Sequence, residues 1–207
     1  MKLQWLGHSC FKITLNDGRT IVTDPYDDTV GYPPLKVAAD IVLSSHGHFD
    51  HNYFAAVTGA PEIINRPGEY VRGGVTITGV HSFHDDAQGA KRGENVIFAV
   101  QDGDMKLVHL GDLGHMPDTD AQRAILKDVD LLLIPIGGTY TITTPQAVAL
   151  IGLCGPRAAV AMHYRNEYCH FPITDCAEFV AATGAGTLPN EVALAKNALS
   201  GCYVMAV

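Results

Sequence analysis

A short segment with four potential metal ligands constrains this chain more than any other feature. It reads Ser45-His46-Gly47-His48-Phe49-Asp50-His51. It comes shortly after the apolar run 41–43, which predicts a buried strand. Because positions two apart on an extended chain project to the same side, His46 and His48 can bind one metal ion together. Asp50 and His51 lie beyond the strand and can serve a neighbouring ion. Imidazole and carboxylate ligands favour zinc, manganese or iron over calcium.

The same pattern, an apolar run that leads into histidine or aspartate, recurs three times. The run 75–80 leads into His81 and His84, the run 106–110 into Asp112, and the run 158–162 into His163. The ends of neighbouring strands converge in α/β folds, and ligands bind there. Separate segments that each give one ligand are typical of an enzyme site assembled from loops. The chain therefore offers the six or seven ligands that two ions need.

Composition and charge exclude several classes of protein. The 207 residues are 47% hydrophobic and 17% charged, which fits a folded globule rather than a disordered chain. The net charge of −8 disfavours binding to nucleic acid or to an anionic membrane, since both need a basic surface. No stretch approaches 18 consecutive apolar residues, and the N-terminus does not resemble a secretory signal. We expect a cytoplasmic protein.

Short apolar runs separated by Gly, Asp and Pro predict a strand-rich fold. Their lengths and β-branched residues favour strands. The predicted strands are 3–6, 11–15, 20–23, 40–43, 62–64, 75–80, 96–100, 106–110, 131–134, 158–162 and 203–206. Turn signals at 16–18 and 101–104 predict hairpins. Helical patterns cover 118–127, 144–153 and 174–182, the last with Thr174 as its cap, and a short helix is expected after Asn52. The mixture predicts one α/β domain over residues 1–207.

These motifs resemble the metallo-β-lactamase superfamily. The segment His46-Gly47-His48-Phe49-Asp50-His51 matches its H-x-H-x-D-H signature, and a later His, Asp and His follow in the expected order. Further segments resemble its small metal-dependent hydrolase branch, which is related to bacterial L-ascorbate-6-phosphate lactonase; they are 6–11, 23–25, 111–115, 137–141 and 162–164. The resemblance runs from Leu6 to Tyr164 and implies an αββα sandwich with metal ions at one edge. The lactonase is a much longer chain, so its substrate is not transferred.

The resemblance also implies a set of metal ligands. The first ion would be bound by His46, His48 and His84, the second by Asp50, His51 and His163, and Asp112 would bridge the two. The expected cofactor is two Zn²⁺ ions, with Mn²⁺ or Fe²⁺ as alternatives that the same ligands accept.

Two residues next to this set need separate mention. His81 competes with His84 for its ligand position, and His84 is preferred because the sequence after it resembles that of the family. Asp24 matches an early aspartate of the family, so we expect it to accept a hydrogen bond from a ligand imidazole and to orient that ring.

The activity that the resemblance implies is hydrolysis of a small molecule. Water held between two divalent ions loses a proton near neutral pH, and this hydroxide would attack an ester, lactone, amide or phosphoester bond. Asp50 and Asp112 are the expected catalytic residues. Two alternatives stay open: a metal-binding sensor or scaffold without turnover, and a phosphodiesterase or nuclease-type member of the same fold. Association into a homo-oligomer also stays open.

Other side chains near these motifs have both a functional and a structural explanation. Tyr140 and Thr141 can line the same edge or form a turn, and His115 can support the site or lie at the surface. A surface position is the stronger expectation for Arg165 and for Lys91-Arg92, although either can bind an anion. A structural role is expected for His8, and the segment 166–172 is a candidate lid.

Overall fold

The computed structural model describes residues 1–206 and consists of two large β-sheets, a two-stranded ribbon and three α-helices. The helices are α1 (Asp120–Ile125), α2 (Thr144–Cys154) and α3 (Ala177–Thr183), with single 3-10 turns at Asp28–Val30 and Phe54–Ala56. The strands are β1 (Lys2–Gly7), β2 (Cys10–Thr14), β3 (Thr20–Thr23), β4 (Val37–Ala38), β5 (Ile41–Leu43), β6 (Val57–Thr58), β7 (Glu62–Ile64), β8 (Gly68–Arg72), β9 (Val75–Phe83), β10 (Glu94–Asp102), β11 (Met105–His109), β12 (Leu131–Pro135), β13 (Ala158–Met162), β14 (Gly186–Leu188), β15 (Glu191–Ala193) and β16 (Gly201–Met205).

The two large sheets form the αββα sandwich that the family resemblance implies. The first sheet has the strand order β15-β1-β2-β3-β5-β7, and the second has the order β14-β16-β13-β12-β11-β10-β9-β8. The centre of the second sheet is parallel, with β12 between β11 and β13. Every residue of β12 and β13 is buried, as expected for parallel strands that are covered on both faces. The core includes the large side chains of Trp5, Phe11 and Phe98.

Local sequence signals explain most of the observed elements. Both predicted hairpins are present, since β2 pairs antiparallel with β3 and β10 pairs antiparallel with β11. Helix α2 begins with the Thr-Pro signal and has a capping box between Thr143 and Gln146. Among the expected helices, the short one after Asn52 is a single 3-10 turn at Phe54–Ala56.

Two groups of local predictions were wrong. Helix α3 is not capped by Thr174, because it begins three residues later and its N-cap, Cys176, makes no side-chain cap hydrogen bond. The strands β4, β6, β8, β14 and β15 were not predicted. They are short or contain glycine and charged residues, so pairing with a neighbouring strand decides their conformation rather than local propensity.

The strand directions bring the predicted ligand segments to one edge. Strands β9 and β11 both run antiparallel to β10, and β11 runs parallel to β12 and β13, so β9, β11 and β13 end on the same side. His84 directly follows β9, and His163 directly follows β13. In the first sheet, β3 and β5 are parallel and end beside each other. No helix within residues 1–206 has the length and apolar character needed to cross a membrane.

Candidate metal centre

The ends of five strands place a cluster of histidine and aspartate side chains at one edge of the sandwich. We call it the His/Asp cluster; its members are His8, His46, His48, Asp50, His51, His84, Asp112 and His163. They form three overlapping groups in which each residue offers one ligand atom within 4.8 Å of the others: His8 with Asp50, His51 and His163; His46 with His48 and His84; and His46 with His51 and Asp112. All seven residues predicted as ligands lie in this cluster.

The carboxylate of Asp112 lies at the centre of the His/Asp cluster. Its Oδ2 atom is 3.0 Å from Nε2 of His163, 3.2 Å from Nε2 of His84 and 3.3 Å from Nε2 of His51. The buried amide of Asn95 fixes this position, because its Oδ1 accepts a hydrogen bond from the Asp112 backbone N–H at 2.9 Å. One side chain therefore meets residues from three separate segments of the chain.

The loop that carries His46, His48, Asp50 and His51 is held by its own hydrogen bonds. The backbone N–H of His51 donates to the carbonyl of His48 at 2.9 Å. The Ser44 hydroxyl lies 3.0 Å from the carbonyls of both His46 and His51. These bonds close the loop into a tight turn after β5, and the turn allows four of its side chains to join the His/Asp cluster.

Asp24 supports the His/Asp cluster from behind, as the family resemblance implies. Its fully buried carboxylate accepts a hydrogen bond from Nδ1 of His51 at 2.9 Å. It also accepts hydrogen bonds from the backbone N–H and the hydroxyl of Ser45, at 2.7 and 2.8 Å. With Nδ1 donating to Asp24, the lone pair of His51 Nε2 points into the cluster, where it can bind a cation.

His8 is a member of the cluster to which sequence reasoning gave only a structural role. Its imidazole is fully buried, with Nε2 3.3 Å from Oδ2 of Asp50 and its ring centre 4.2 Å from that of His163. Its backbone has a φ of 52°, which few non-glycine residues adopt. The Trp5 indole donates to the His8 carbonyl at 3.1 Å and fixes this turn. The position of His8 between β1 and β2 gives no local sign of a contact 42 residues away.

His109 is a second supporting histidine that the sequence did not indicate. It lies in β11 and is buried, and its Nε2 is 2.9 Å from the carbonyl oxygen of Ser9. Its Nδ1 accepts a hydrogen bond from the backbone N–H of Gly111 and lies 4.0 Å from Oδ2 of Asp24. His109 thus links the turn at Ser9 to the segment that carries Asp112. A histidine inside an apolar run was the one available signal.

Mutual electrostatics keep the two carboxylates of the cluster, and that of Asp24 behind it, ionised. Burial alone would raise the pKa of Asp24, Asp50 and Asp112, but the adjacent imidazoles hold the pKa of each below its ordinary value. Burial tends to lower the pKa of His51, yet the three carboxylates raise it well above the usual range. Burial and the neighbouring His51 lower the pKa of His46. The cluster therefore combines ionised carboxylates with imidazole side chains, and both are ligand types that divalent transition metals prefer.

Several buried atoms of the cluster have no hydrogen-bond partner among residues 1–206. They are Nε2 of His46, Nε2 of His51, Oδ1 of Asp112 and Nδ1 of His163. A buried polar atom that lacks a partner costs about 1–3 kcal/mol. Three of these residues, His46, His51 and Asp112, also form a group in which each offers a ligand atom within 4.8 Å of the others. A cation bound there would accept lone pairs from buried atoms that lack other partners, so the residues present fit a divalent metal.

A comparison with protein families identifies the fold. The family model described as the beta-lactamase superfamily domain matches residues 2–163. The chain belongs to this superfamily. The match covers every residue of the His/Asp cluster, from His8 to His163.

Individual relatives of this superfamily agree with that result. A protein of Pyrococcus abyssi described as a UPF0173 protein is 32% identical over 187 residues, covering 79% of this chain and 83% of its own length. A UPF0173 metal-dependent hydrolase of Thermoplasma volcanium is 29% identical over 193 residues, covering 80% of this chain and 84% of its own length. A crystal structure from Thermotoga maritima matches with a TM-score of 0.82 and 36% identity, covering 99% of this chain and 97% of that one. Its description proposes a Zn-dependent hydrolase of the metallo-beta-lactamase superfamily.

The edge of this beta-lactamase superfamily domain opens into a cleft of about 320 Å³ above the His/Asp cluster. Residues of the cluster form part of the lining; they are His48, Asp50, His84, Asp112 and His163. The remaining lining residues are two phenylalanines, Phe49 and Phe171, together with Tyr140 and Arg92. Phe49 is 50% exposed, so its ring is available to a bound molecule. The cleft gives a small ligand access to the cluster.

The structure also separates His84 from its competitor. Strand β9 continues to Phe83, so His81 lies within it, half exposed, with Nε2 3.5 Å from the carboxylate of Glu94. His84 is buried in the cluster, and its Nδ1 lies 3.0 Å from the carbonyl oxygen of Tyr140, a geometry that suits donation of its N–H. The structure therefore brings His84, and not His81, to the other predicted ligands.

Most of the remaining candidates have structural positions. His115 accepts a hydrogen bond from the Phe83 backbone N–H through Nε2. The Thr141 hydroxyl is buried and contacts backbone carbonyls of its own turn. Arg165 pairs with Asp175 at 3.6 Å, with both side chains about half exposed. Tyr140, Arg92 and, from the segment 166–172, Phe171 are the candidates that do line the cleft.

Proposed function

We propose that this chain is a metal-dependent hydrolase that cleaves an ester, lactone, amide or phosphoester bond of a small molecule. One observation carries the proposal: buried, unpartnered ligand atoms of the His/Asp cluster converge beneath an open cleft. The relatives described as metal-dependent hydrolases support it. A net charge of −8 and a cleft of about 320 Å³ favour a small-molecule substrate over nucleic acid.

The cluster divides into two ligand sets that share Asp112. His46, His48 and His84 would hold one cation, and Asp50, His51 and His163 would hold a second. We propose Zn²⁺ at both positions, with Mn²⁺ or Fe²⁺ as alternatives that the same ligands accept. When bound, such cations lower the pKa of water and polarise a substrate oxygen.

The chain's own residues orient the reaction. Asp112 would hold the two ligand sets at a fixed separation, because its Oδ2 contacts histidines of both. Asp50 lines the cleft, and its Oδ2 is oriented by Nε2 of His8 at 3.3 Å. We infer that Asp50 Oδ2 orients the attacking water and accepts its proton. Phe49 and Phe171, which line the same cleft, would shield the carboxylate of Asp50 from bulk solvent.

Metal content and turnover measured together test the proposal. The purified protein and the variant Asp112→Asn would be analysed by elemental mass spectrometry and assayed against esters, lactones, amides and phosphodiesters. We expect about two ions per chain and turnover on one bond class in the wild type, with both reduced in the variant. Asp104→Asn, at an exposed aspartate outside the cluster, is the matched control and should change neither.

Three outcomes would contradict different parts of this proposal. Stoichiometric metal without turnover on any bond class would favour a binding or scaffold protein. An Asp112→Asn variant with full metal content and full turnover would exclude the bridging role of Asp112. A protein that binds no metal after reconstitution would contradict the hydrolase itself.

A further inference from the structure

Arg92 is the cationic side chain that lines the cleft above the His/Asp cluster. Its guanidinium carbon lies 5.2 Å from the centre of the Tyr140 ring, and both residues line the cleft with His84. The carbonyl of Tyr140 lies in turn 3.0 Å from Nδ1 of His84. Stacking on an aromatic face holds a guanidinium in one orientation. The position of Arg92 is thus tied to that of a cluster residue.

The backbone that carries Arg92 is also fixed, by the carboxylate of Asp85. This buried side chain accepts backbone N–H bonds from Ala87 and Gly89 through Oδ1, at 2.7 and 2.9 Å. Its Oδ2 accepts N–H bonds from Lys91 and Arg92, at 2.9 and 2.7 Å. Four bonds to one carboxylate close the loop tightly. Arg92 therefore extends from a rigid turn that begins next to His84.

The guanidinium of Arg92 has no acidic partner. Among residues 1–206, no carboxylate lies within 4.0 Å of it, whereas the adjacent Lys91 pairs with Asp86 at 2.6 Å on the exposed side of the loop. Arg92 is half-buried, so its charge is only partly screened by solvent. An unpaired, oriented guanidinium at the wall of a cleft is suited to an anionic ligand.

We propose that Arg92 binds a carboxylate group carried by the substrate, while Phe49 and Phe171 contact an apolar part of the same molecule. This inference rests on the proposed hydrolase function and narrows it to small monoanionic substrates. One guanidinium matches the two oxygens of a carboxylate through parallel N–H bonds. A carboxylate fits better than a dianionic phosphate, because the second cation of the loop, Lys91, is already paired with Asp86.

A pair of chromogenic esters tests the inference in the metal-loaded protein. The 4-nitrophenyl ester of hexanoate and the mono-4-nitrophenyl ester of adipate differ only at the far end of the acyl chain, which is a methyl group in one and a carboxylate in the other. We expect the wild type to favour the adipate ester in kcat/KM by about ten-fold or more, since hydrogen bonds to charged groups contribute that much. The variant Arg92→Gln should bring this ratio close to one, mainly through KM. Lys91→Gln removes the same charge one residue away and should keep the wild-type ratio.

A direct binding measurement separates this inference from the hydrolase proposal. Isothermal titration of the metal-loaded protein would compare 4-phenylbutyrate with 4-phenylbutanamide, its neutral counterpart. Tighter binding of the carboxylate by about ten-fold in the wild type and in Lys91→Gln, lost in Arg92→Gln, would support the anion site even if neither ester is hydrolysed. If the wild type and Arg92→Gln favour the carboxylate over its neutral counterpart by the same factor, in binding or in ester turnover, the inference is overturned. The hydrolase proposal would then be left intact. Failure of the wild type to hydrolyse any bond class would count against the hydrolase proposal alone.

Discussion

The carboxylate of Asp24 accepts a hydrogen bond from Nδ1 of His51 at 2.9 Å, from the side opposite the cleft. Asp24 directly follows β3, and His51 lies in the loop after β5, the adjacent parallel strand. The bond fixes the tautomer and the ring orientation of His51, so its Nε2 faces the other members of the His/Asp cluster. Orientation of this kind commonly changes metal affinity without changing the set of ligands.

Asp24→Asn is therefore expected to weaken metal binding by about 10- to 100-fold while the fold is retained. The amide keeps an oxygen for the Ser45 backbone N–H but cannot accept from Ser45 Oγ and His51 Nδ1 as the carboxylate does. Competition with a chromophoric chelator measures the affinity, and circular dichroism checks the fold. An unchanged affinity in the folded variant would show that His51 needs no orienting partner.

His8→Asn should weaken metal binding at the Asp50 side of the cluster by about ten-fold. Asparagine tolerates the φ of 52° at this position, so the turn between β1 and β2 should survive. The variant removes the imidazole that lies 3.3 Å from Asp50 Oδ2. Elemental analysis after dialysis against graded chelator would report loss of one ion before the other. His170→Asn, at an exposed histidine, is the control, and equal metal retention in both variants would contradict the role given to His8.

Asp85→Asn is expected to destabilise the protein by about 1–3 kcal/mol. One oxygen of this carboxylate is replaced by an NH₂ group, so two of the four backbone N–H bonds lose their acceptor. Urea denaturation at neutral pH measures the change in the free energy of unfolding. The neighbouring Asp86→Asn tests the same chemical change on an exposed side chain and should have no measurable effect. Equal stability of the two variants would mean that the loop does not depend on Asp85.

Gly114→Ala and Gly152→Ala should change stability in opposite directions. A Cβ at Gly114 would overlap the backbone of His84 and Asp85, so this variant should lose about 1–3 kcal/mol and displace His84. Gly152 lies in helix α2, and a Cβ there meets nothing within 4 Å, so alanine should add about 0.5–1 kcal/mol through helix propensity. Thermal unfolding compares the two variants. A stable Gly114→Ala variant with normal metal binding would show that Gly114 and the backbone of His84 and Asp85 can move apart without loss of stability.

The sequence predicted those parts of the site whose signals are local. The H-x-H-x-D-H segment lies shortly after a buried strand, and His163 directly follows another, so spacing and strand position together indicated a cluster. The hydrogen bond from a cluster histidine to Asp24, expected from the family resemblance, is confirmed. The residue at which β9 ends was harder to predict from the sequence. That strand continues three residues beyond its apolar run because pairing with β10 extends it.

Other parts of the site depend on contacts between residues far apart in the chain. His8 meets Asp50 across 42 residues, and the contact of His109 with Ser9 spans 100. Neither is indicated by the periodicity around it, because a buried histidine in a turn or a strand looks the same whether it packs passively or supports a metal ligand. Arg92 and Lys91 are adjacent basic residues, yet one lines the cleft and the other pairs with Asp86 at the surface.

The sequence by itself indicated metal chemistry and the positions along the chain of the strands that carry the ligands, because apolar runs and ligand spacing act over a few residues. The spacing of residues left His81 and His84 as competitors, and the family resemblance favoured His84. Only the tertiary structure showed that His84 joins the cluster, that His8 belongs to it, and that Arg92 is the cation that faces the cleft. Those outcomes depend on where each strand ends relative to its neighbours. A shift of one residue along a strand turns a side chain to the opposite face, so the pairing of β9 with β10 decides what the spacing alone leaves open.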